Sequence, residues 1–278
     1  MSSALRMMSA ELKLCDAVIY VLDARCPFSC LNPEFEKLTE RKPVVFVLNK
    51  ADLADVSVVK DFKRQIKSGT VVAINSTQSG STNSLITAIE RALREKIAAA
   101  AAKGIKKTVR AMVIGVTNCG KSTLINNLAR GGKTLTGDRP GVTRTKQWVP
   151  VNDHLWVLDT PGTLWPKFTN PQVAKNLAYV GSIKDEVLDT VALAKELLAD
   201  LNTLDPTCLE KRFGEKFPSC MEGCPEGAGW FETICKKRGY ILKGGALDEL
   251  RAAKAILTEF RAGKLGRFNL DKLIDTSR

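Results

Sequence analysis

Gly115-Val116-Thr117-Asn118-Cys119-Gly120-Lys121-Ser122 follows an apolar run, Val109 to Gly115 (VRAMVIG), and opens a helical stretch, Ser122 to Ala129. The octet fits G-x-x-x-x-G-K-[ST] between strand and helix, the setting in which this pattern binds phosphate. Each residue type has a physical reason. Glycines let the backbone curl with its N–H groups toward phosphate oxygens, and the helix N-terminus adds positive potential. Lys121 spans the terminal phosphates of a nucleotide, and Ser122 offers its hydroxyl to Mg²⁺. Asn118, Cys119, Gly120, Lys121, Ser122 and Thr123 are therefore candidate phosphate-side residues.

Outward from this loop, strand-like runs (Asp16 to Leu22, Pro43 to Leu48, Val71 to Ile74, Leu155 to Leu158) alternate with helical stretches at Val58 to Ser68 and Ser84 to Gly104. The alternation predicts an α/β fold, a doubly wound and mostly parallel sheet with ligands at the carboxyl ends of its strands. After Pro171 helical periodicity takes over, in Val187 to Leu201 and Leu247 to Ala262, around a Gly, Pro and Cys-rich stretch near Cys208 to Gly229. This predicts a nucleotide domain over 1–170 and a helical domain over 171–278.

A phosphate loop alone does not separate ATP from GTP. Asn49-Lys50-Ala51-Asp52 sits at the carboxyl end of the run PVVFVL and looks like the guanine-reading N-K-x-D element. The Asp52 carboxylate can accept from guanine's ring N–H and exocyclic amine, a donor pair adenine lacks, and the Lys50 stem can lie on the base. Asn75-Ser76-Thr77, after VVAI, resembles the loop whose backbone supports the guanine. Asp159-Thr160-Pro161-Gly162 resembles D-x-x-G, with Asp159 directed to Mg²⁺ and the Gly162 N–H to the γ-phosphate. Pro140-Gly141-Val142-Thr143 lies where a switch threonine ligates Mg²⁺. The order is rotated: N-K-x-D and the base-supporting loop precede the phosphate loop instead of following D-x-x-G. A chain whose termini are surface-exposed and close together tolerates such a circular permutation.

In these elements, and in Asp23-Ala24-Arg25, GDRPGVTRTKQW from Gly137, DTPGTLWPKF from Asp159, VGSI from Val180 and RGYILKGGALDELRAAKAILTEFRAGKLGR from Arg238, the sequence resembles the circularly permuted GTPases of the ribosome biogenesis GTPase A (YlqF) type. The resemblance covers nearly the whole chain. It implies a circularly permuted P-loop GTPase domain that binds GTP/GDP with Mg²⁺ and hydrolyses GTP through Lys121, Thr143 and Gly162, with metal contacts at Ser122, Thr143 and Asp159. It implies a cytoplasmic protein whose partner is the large ribosomal subunit precursor, both rRNA and ribosomal proteins, with no role for membrane or DNA. Asn118 in an N-x-G-K-S loop further suggests a K⁺ ion beside the phosphates. Because D-x-x-G leads straight into the helical domain, γ-phosphate contacts are expected to move that domain. The chain departs from the family at Thr163, where relatives carry an apolar residue, and at Thr117 and Cys119. Met1 falls within the helix that follows the family's Gly-His-Met segment.

Composition fits this reading. Of 278 residues, 44% are hydrophobic and 26% charged, which excludes disorder, and no apolar run approaches the roughly 20 residues needed to span a bilayer. No secretory signal is recognisable, so an intracellular chain with eight reduced cysteines is expected. The net charge of +12 is concentrated: residues 91–148 hold 13 basic and 2 acidic side chains, a pattern for polyanion binding or for a solvated basic helix. Cys208, Cys220, Cys224 and Cys235 carry only a weak zinc pattern. Cys119, near Lys121 and a helix N-terminus, has the surroundings of a low-pKa thiol, but reads first as a small loop residue with no redox role. His154 reads as an exposed turn residue, and Asp23 with Arg25 as either a functional loop or an ordering ion pair. Two further readings stay open: an RNA-binding assembly placeholder with negligible hydrolysis, and a small-molecule kinase, which leaves Asn49 to Asp52 unexplained.

Overall fold

Ala17–Asp23 is buried at every position, the signature of a strand covered on both faces, where a parallel sheet requires continuous apolar sequence rather than alternation. In the computed structural model, which describes residues 3–66, 68–131, 147–165, 167–214 and 227–274, this strand lies near the middle of a six-stranded sheet. The chain divides into two compact units, Met1–Lys167 and Phe168–Arg278.

The first unit runs α1 (Ser3–Leu12), β1 (Ala17–Asp23), α2 (Pro33–Thr39), β2 (Val44–Asn49), α3 (Val58–Gln65), β3 (Thr70–Ala73), α4 (Asn83–Ala92), α5 (Arg94–Ala101), β4 (Val109–Ile114), α6 (Lys121–Gly131), β5 (Gln147–Asn152) and β6 (Leu155–Asp159). Strand order is β3-β2-β1-β4-β6-β5, all parallel except the β5–β6 pair. The order reverses direction between β1 and β4, and a doubly wound sheet opens its ligand crevice at such a reversal. Register places Asp23 beside Asn49 at the carboxyl edge. Below them Tyr20 stacks on Phe46 at 5.8 Å and meets Phe35 edge-on at 5.6 Å, while Phe46 meets Phe62 at 5.6 Å.

Two elements differ from the sequence expectation. Gln147–Asn152 is a strand although Pro150 argues against one; it forms the antiparallel edge, with a register shift between Pro150 and Asn152, where a missing N–H is tolerated. The long helix expected over 84–104 is two helices, broken at Leu93 (φ −110°, ψ 11°). Leu93 is buried, whereas α5 buries no residue, so the bend keeps Leu93 in the core while the alanine run crosses the surface.

The second unit is helical: α7 (Pro171–Tyr179), α8 (Thr190–Leu204), α9 (Cys208–Phe213), α10 (Ala228–Arg238) and α11 (Glu249–Arg261). The side chains of Asn170, Asp189 and Asp248 cap α7, α8 and α11 by accepting from backbone N–H groups of the first turn. Leu193, Leu197, Leu198 and Leu201 of α8 form the core with Ile256, Leu257 and Phe260 of α11. The Arg261 guanidinium donates to Ala178 O, Tyr179 O and both Asp185 oxygens at 2.7–3.0 Å, pinning the turn that contains VGSI. Cys220 and Cys224 lie outside the described residues; Cys208 and Cys235 are buried. Among the described residues, no helix is long and apolar enough to cross a membrane.

Candidate nucleotide site

Between Ile114 and Lys121 the chain turns over the carboxyl edge of β4, beside β1. Three residues take left-handed backbone there: Gly115 (φ 151°), Asn118 (φ 55°) and Gly120 (φ 97°). A Cβ on Gly115 would lie 2.3 Å from Val21 O, and one on Gly120 would lie 2.2 Å from Asn49 Nδ2, so both positions demand the absence of a side chain. Lys121 is buried and folds back over the loop, donating to Val116 O at 2.8 Å and Gly115 O at 3.3 Å. Ser122 is half-buried beside it in the first turn of α6, and Thr123 is exposed.

The segment Asn49 to Asp52 is tied to this loop by one amide. Asn49, buried at the end of β2, donates from Nδ2 to Cys119 O (2.8 Å) and accepts at Oδ1 from Ser76 N–H (3.0 Å). Lys50 has positive φ (57°) and donates from Nζ to Asn118 O at 2.9 Å. Ala51 N–H donates to Ile74 O, which sets the 3₁₀ turn Ala51–Leu53 with Asp52 exposed on it. Asn75 Oδ1 accepts from the N–H and hydroxyl of Thr77. Asn127 of α6 donates to Ser76 O (2.9 Å) and Gln78 O (2.8 Å), so the helix after the phosphate loop also holds the base-supporting loop. Sequence reasoning missed Asn127; its only signal is an Asn pair, weak helix formers, inside a helix.

Asp159 ends β6 and is mostly buried, while Thr160 Oγ1 anchors this edge by donating to Val113 O at 2.5 Å. A Cβ on Gly162 would stand 2.7 Å from Lys121 Nζ and 2.8 Å from Thr117 Cα, so D-x-x-G packs directly on the phosphate loop. Thr163 N–H donates to Gly115 O at 3.4 Å, and its hydroxyl is buried without a hydrogen-bond partner among the described residues. Pro140 to Thr143 lie outside the described residues. The structure thus brings Asn49, Lys50, Ser76, Asn118 to Lys121 and Gly162 together along one edge, with Asp52, Asn75 and Thr77 beside them. His154 is exposed at the opposite end of β6, where its carbonyl accepts from Val109 N–H.

Asp23 orders the carboxyl end of β1. Its carboxylate accepts from Arg25 Nε (2.9 Å), Arg25 Nη2 (2.8 Å) and Arg25 N–H (3.1 Å), and pairs with Lys50 Nζ at 2.9 Å. Burial alone would raise its pKa, but Arg25 and Lys50 outweigh burial and hold it well below the carboxylate range. Asp23→Asn should therefore cost about 3–5 kcal/mol, because Arg25, 2% exposed, is left without its counter-charge. Urea unfolding checks this, and a loss below about 1 kcal/mol would remove Asp23 from that role. The sign with pH follows: a depressed folded pKa gives stability present above about pH 4, the unfolded carboxylate value, and lost as pH falls through the folded value.

Cys119 is not an activated thiol. Burial is the largest influence on it and raises its pKa against the opposing pull of Lys121. It should resist alkylation by iodoacetamide at pH 8 in the folded chain and react on unfolding; fast labelling of the native protein would contradict this.

The model of the family described as 50S ribosome-binding GTPase matches residues 110–210, from β4 through the phosphate loop into the helical unit. Over 98% of this chain and 95% of its own length, ribosome biogenesis GTPase A of Bacillus licheniformis is 40% identical. Mitochondrial ribosome-associated GTPase 1 of Bos taurus is 30% identical over 98% of this chain and 86% of its own length. Among solved structures, GNP-bound YlqF from T. maritima superposes with a TM-score of 0.63 at 26% identity, covering 96% of each chain. With its rotated element order, its β1–β4 crevice and near full-length likeness to these proteins, the chain belongs to the ribosome biogenesis GTPase A family of circularly permuted GTPases.

Proposed function

We propose that this protein binds GTP, hydrolyses it to GDP and phosphate, and uses that cycle to time its stay on a maturing large ribosomal subunit in the cytoplasm. The observation that carries the reading is the Asn49 side chain, which joins the phosphate loop at Cys119 to the base-supporting loop at Ser76. Phosphate and base readers separated by some seventy residues of sequence are thereby one hydrogen-bonded unit.

Within it, Asp52 reads guanine, Lys50 lies along the base, Asn75 to Thr77 support it, and the N–H groups of Asn118 to Thr123 take the phosphates. Ser122 and Asp159 supply hard oxygen donors suited to Mg²⁺, with Thr143 as the switch ligand. When bound, the cation offsets charge on the transferring phosphoryl group. Lys121, Thr143 and Gly162 act on the γ-phosphate; Lys121 exchanges its contacts with the Val116 and Gly115 carbonyls for phosphate oxygens, and adjacent Gly162 presents its N–H. Asn118 sits at the crown of the loop, where a K⁺ ion would add a further positive charge. Gly162 precedes the start of the helical unit, Phe168, by six residues, a short path for passing on the nucleotide state.

The basic stretch 91–148 supports contact with rRNA, alongside ribosomal proteins. Hydrolysis measured with Mg²⁺, in K⁺ or Na⁺, with and without large-subunit precursors tests the reading. We expect strong stimulation by the particles and faster turnover in K⁺. Tight GTP binding without stimulation would replace the timer by a placeholder, and equal rates in Na⁺ and K⁺ would remove the K⁺ site.

A further inference from the structure

The amino edge of the sheet, opposite the nucleotide site, carries a second concave feature. A pocket of about 640 Å³ opens there between the start of β2 and the α4–α5 bend, lined by Arg41, Lys42, Arg91, Arg94 and Lys96 together with the carboxylates Asp16 and Glu95. A six-residue strand at about 3.3 Å per residue separates this edge from the phosphate loop by about 20 Å.

Local structure explains the gathering of cations. Leu93 is driven into the core, and the bend around it turns Arg91, the end of α4, and Arg94, the start of α5, to the same opening. Some of the positive charge is already engaged. Asp16, at the pocket floor, pairs with Lys96 and with Lys107 (3.2 Å) and accepts from Arg110 N–H at 3.0 Å. Lys42 donates to Cys15 O at 2.7 Å. Arg41, Arg91 and Arg94 are exposed, and none of the three makes an ion pair among the described residues. Three forked guanidinium groups around one opening suit phosphate oxygens, which they can grip in bidentate fashion.

We propose that this pocket is a docking site for the phosphate backbone of RNA, and hence the place where the nucleotide unit itself holds rRNA; this rests on the ribosomal reading above. The charges are spread around an open mouth, with exposed Lys103 and Lys106 following α5 in the chain, rather than converging on one point as for a small anion. The lining has no aromatic side chain on which a base could stack, so backbone contact is the mode it fits. The permutation accounts for its location. The segment that closes the rotated chain, α5 and the residues before β4, supplies the wall that carries Arg94 and Lys96.

The test is the triple variant Arg41→Gln/Arg91→Gln/Arg94→Gln of the full chain, assayed against deproteinised large-subunit rRNA, polyuridylate and intact precursor particles over a salt series. Removing three phosphate contacts should weaken binding to both RNAs about a hundredfold at low salt and reduce the log–log salt slope by about two to three. The Arg→Lys triple should retain most affinity, and Glu95→Gln should tighten binding a few-fold. GDP affinity and basal hydrolysis should stay unchanged in all, which also reports folding. RNA affinity and salt slope equal to the parent chain's would overturn the proposal. So would loss of particle binding with rRNA binding intact, since the pocket would then hold a protein. If the parent chain neither binds rRNA nor responds to particles, the ribosomal reading fails as well; if it does both and the variants match it, only this pocket fails.

Discussion

Replacing Asp52 by Asn is expected to lower GTP affinity about a hundredfold and to raise affinity for xanthosine triphosphate by a similar factor. A carboxylate accepting from guanine's ring N–H and amine makes two charge-assisted hydrogen bonds, and losing part of each costs about 3 kcal/mol. Xanthine carries a carbonyl in place of the amine, which an amide N–H can satisfy. The structure makes this variant informative: Asp52 is exposed on its 3₁₀ turn, and no side chain among the described residues engages it. The fold does not depend on it, so the change should appear in nucleotide choice and not in thermal stability. An unchanged preference, measured by competition against labelled GDP, would remove Asp52 from the base pocket.

The second large effect is expected from Gly120→Ala, which should weaken GTP and GDP together by about a thousandfold. The new methyl would meet Asn49 Nδ2 at 2.2 Å. Asn49 is buried and cannot withdraw without giving up Cys119 O or Ser76 N–H. Backbone strain at φ 97° adds about 1–2 kcal/mol to a lost buried hydrogen bond of about 1–3 kcal/mol. Gly104→Ala, between α5 and β4 and away from the loop, controls for a general effect of placing a side chain at positive φ: its φ is 70°, and nothing lies within 4 Å of the added methyl. It should leave nucleotide affinity unchanged. Equal losses in both variants would show a general destabilisation of the unit and not the clash with Asn49.

The buried parallel strands were legible because a strand covered on both faces is mostly apolar, and β1, β2 and β4 announce themselves that way apart from exposed Arg110 and the polar residues that end β1 and β2. The edge strand β5 was not, because Pro150 forbids a central position and only tertiary placement shows that it lies at the rim. The break at Leu93 was hidden for a related reason: alanine-rich sequence is helical on both sides, and the core contact that bends it is not local. In the site, glycines and Lys121 followed from phosphate chemistry. The Asn49 bridge did not follow, since a base-reading asparagine gives no hint that its amide reaches back to Cys119. Cys119 reads correctly from sequence as an inert loop residue, although proximity to Lys121 is visible there and complete burial is not.

The aromatic cluster of Tyr20, Phe35, Phe46 and Phe62 bears on the order of synthesis. All four rings, and the β1–β2 and β2–β3 pairings that begin at Val18↔Val44 and Val45↔Thr70, belong to the first 73 residues, whereas β4, which pairs with β1 from Ala17↔Ala111 to Tyr20↔Ile114, comes later. A nascent chain therefore completes strands β1 to β3, the half that carries Asn49 to Asp52, several seconds before the loop Gly115 to Ser122 emerges, at about 5–20 residues per second. Throughout that interval GTP cannot stabilise the half-sheet by mass action. Its own packed rings must hold it until β4 arrives, so the rotated gene order makes early core strength, rather than ligand, the condition for successful birth of the domain.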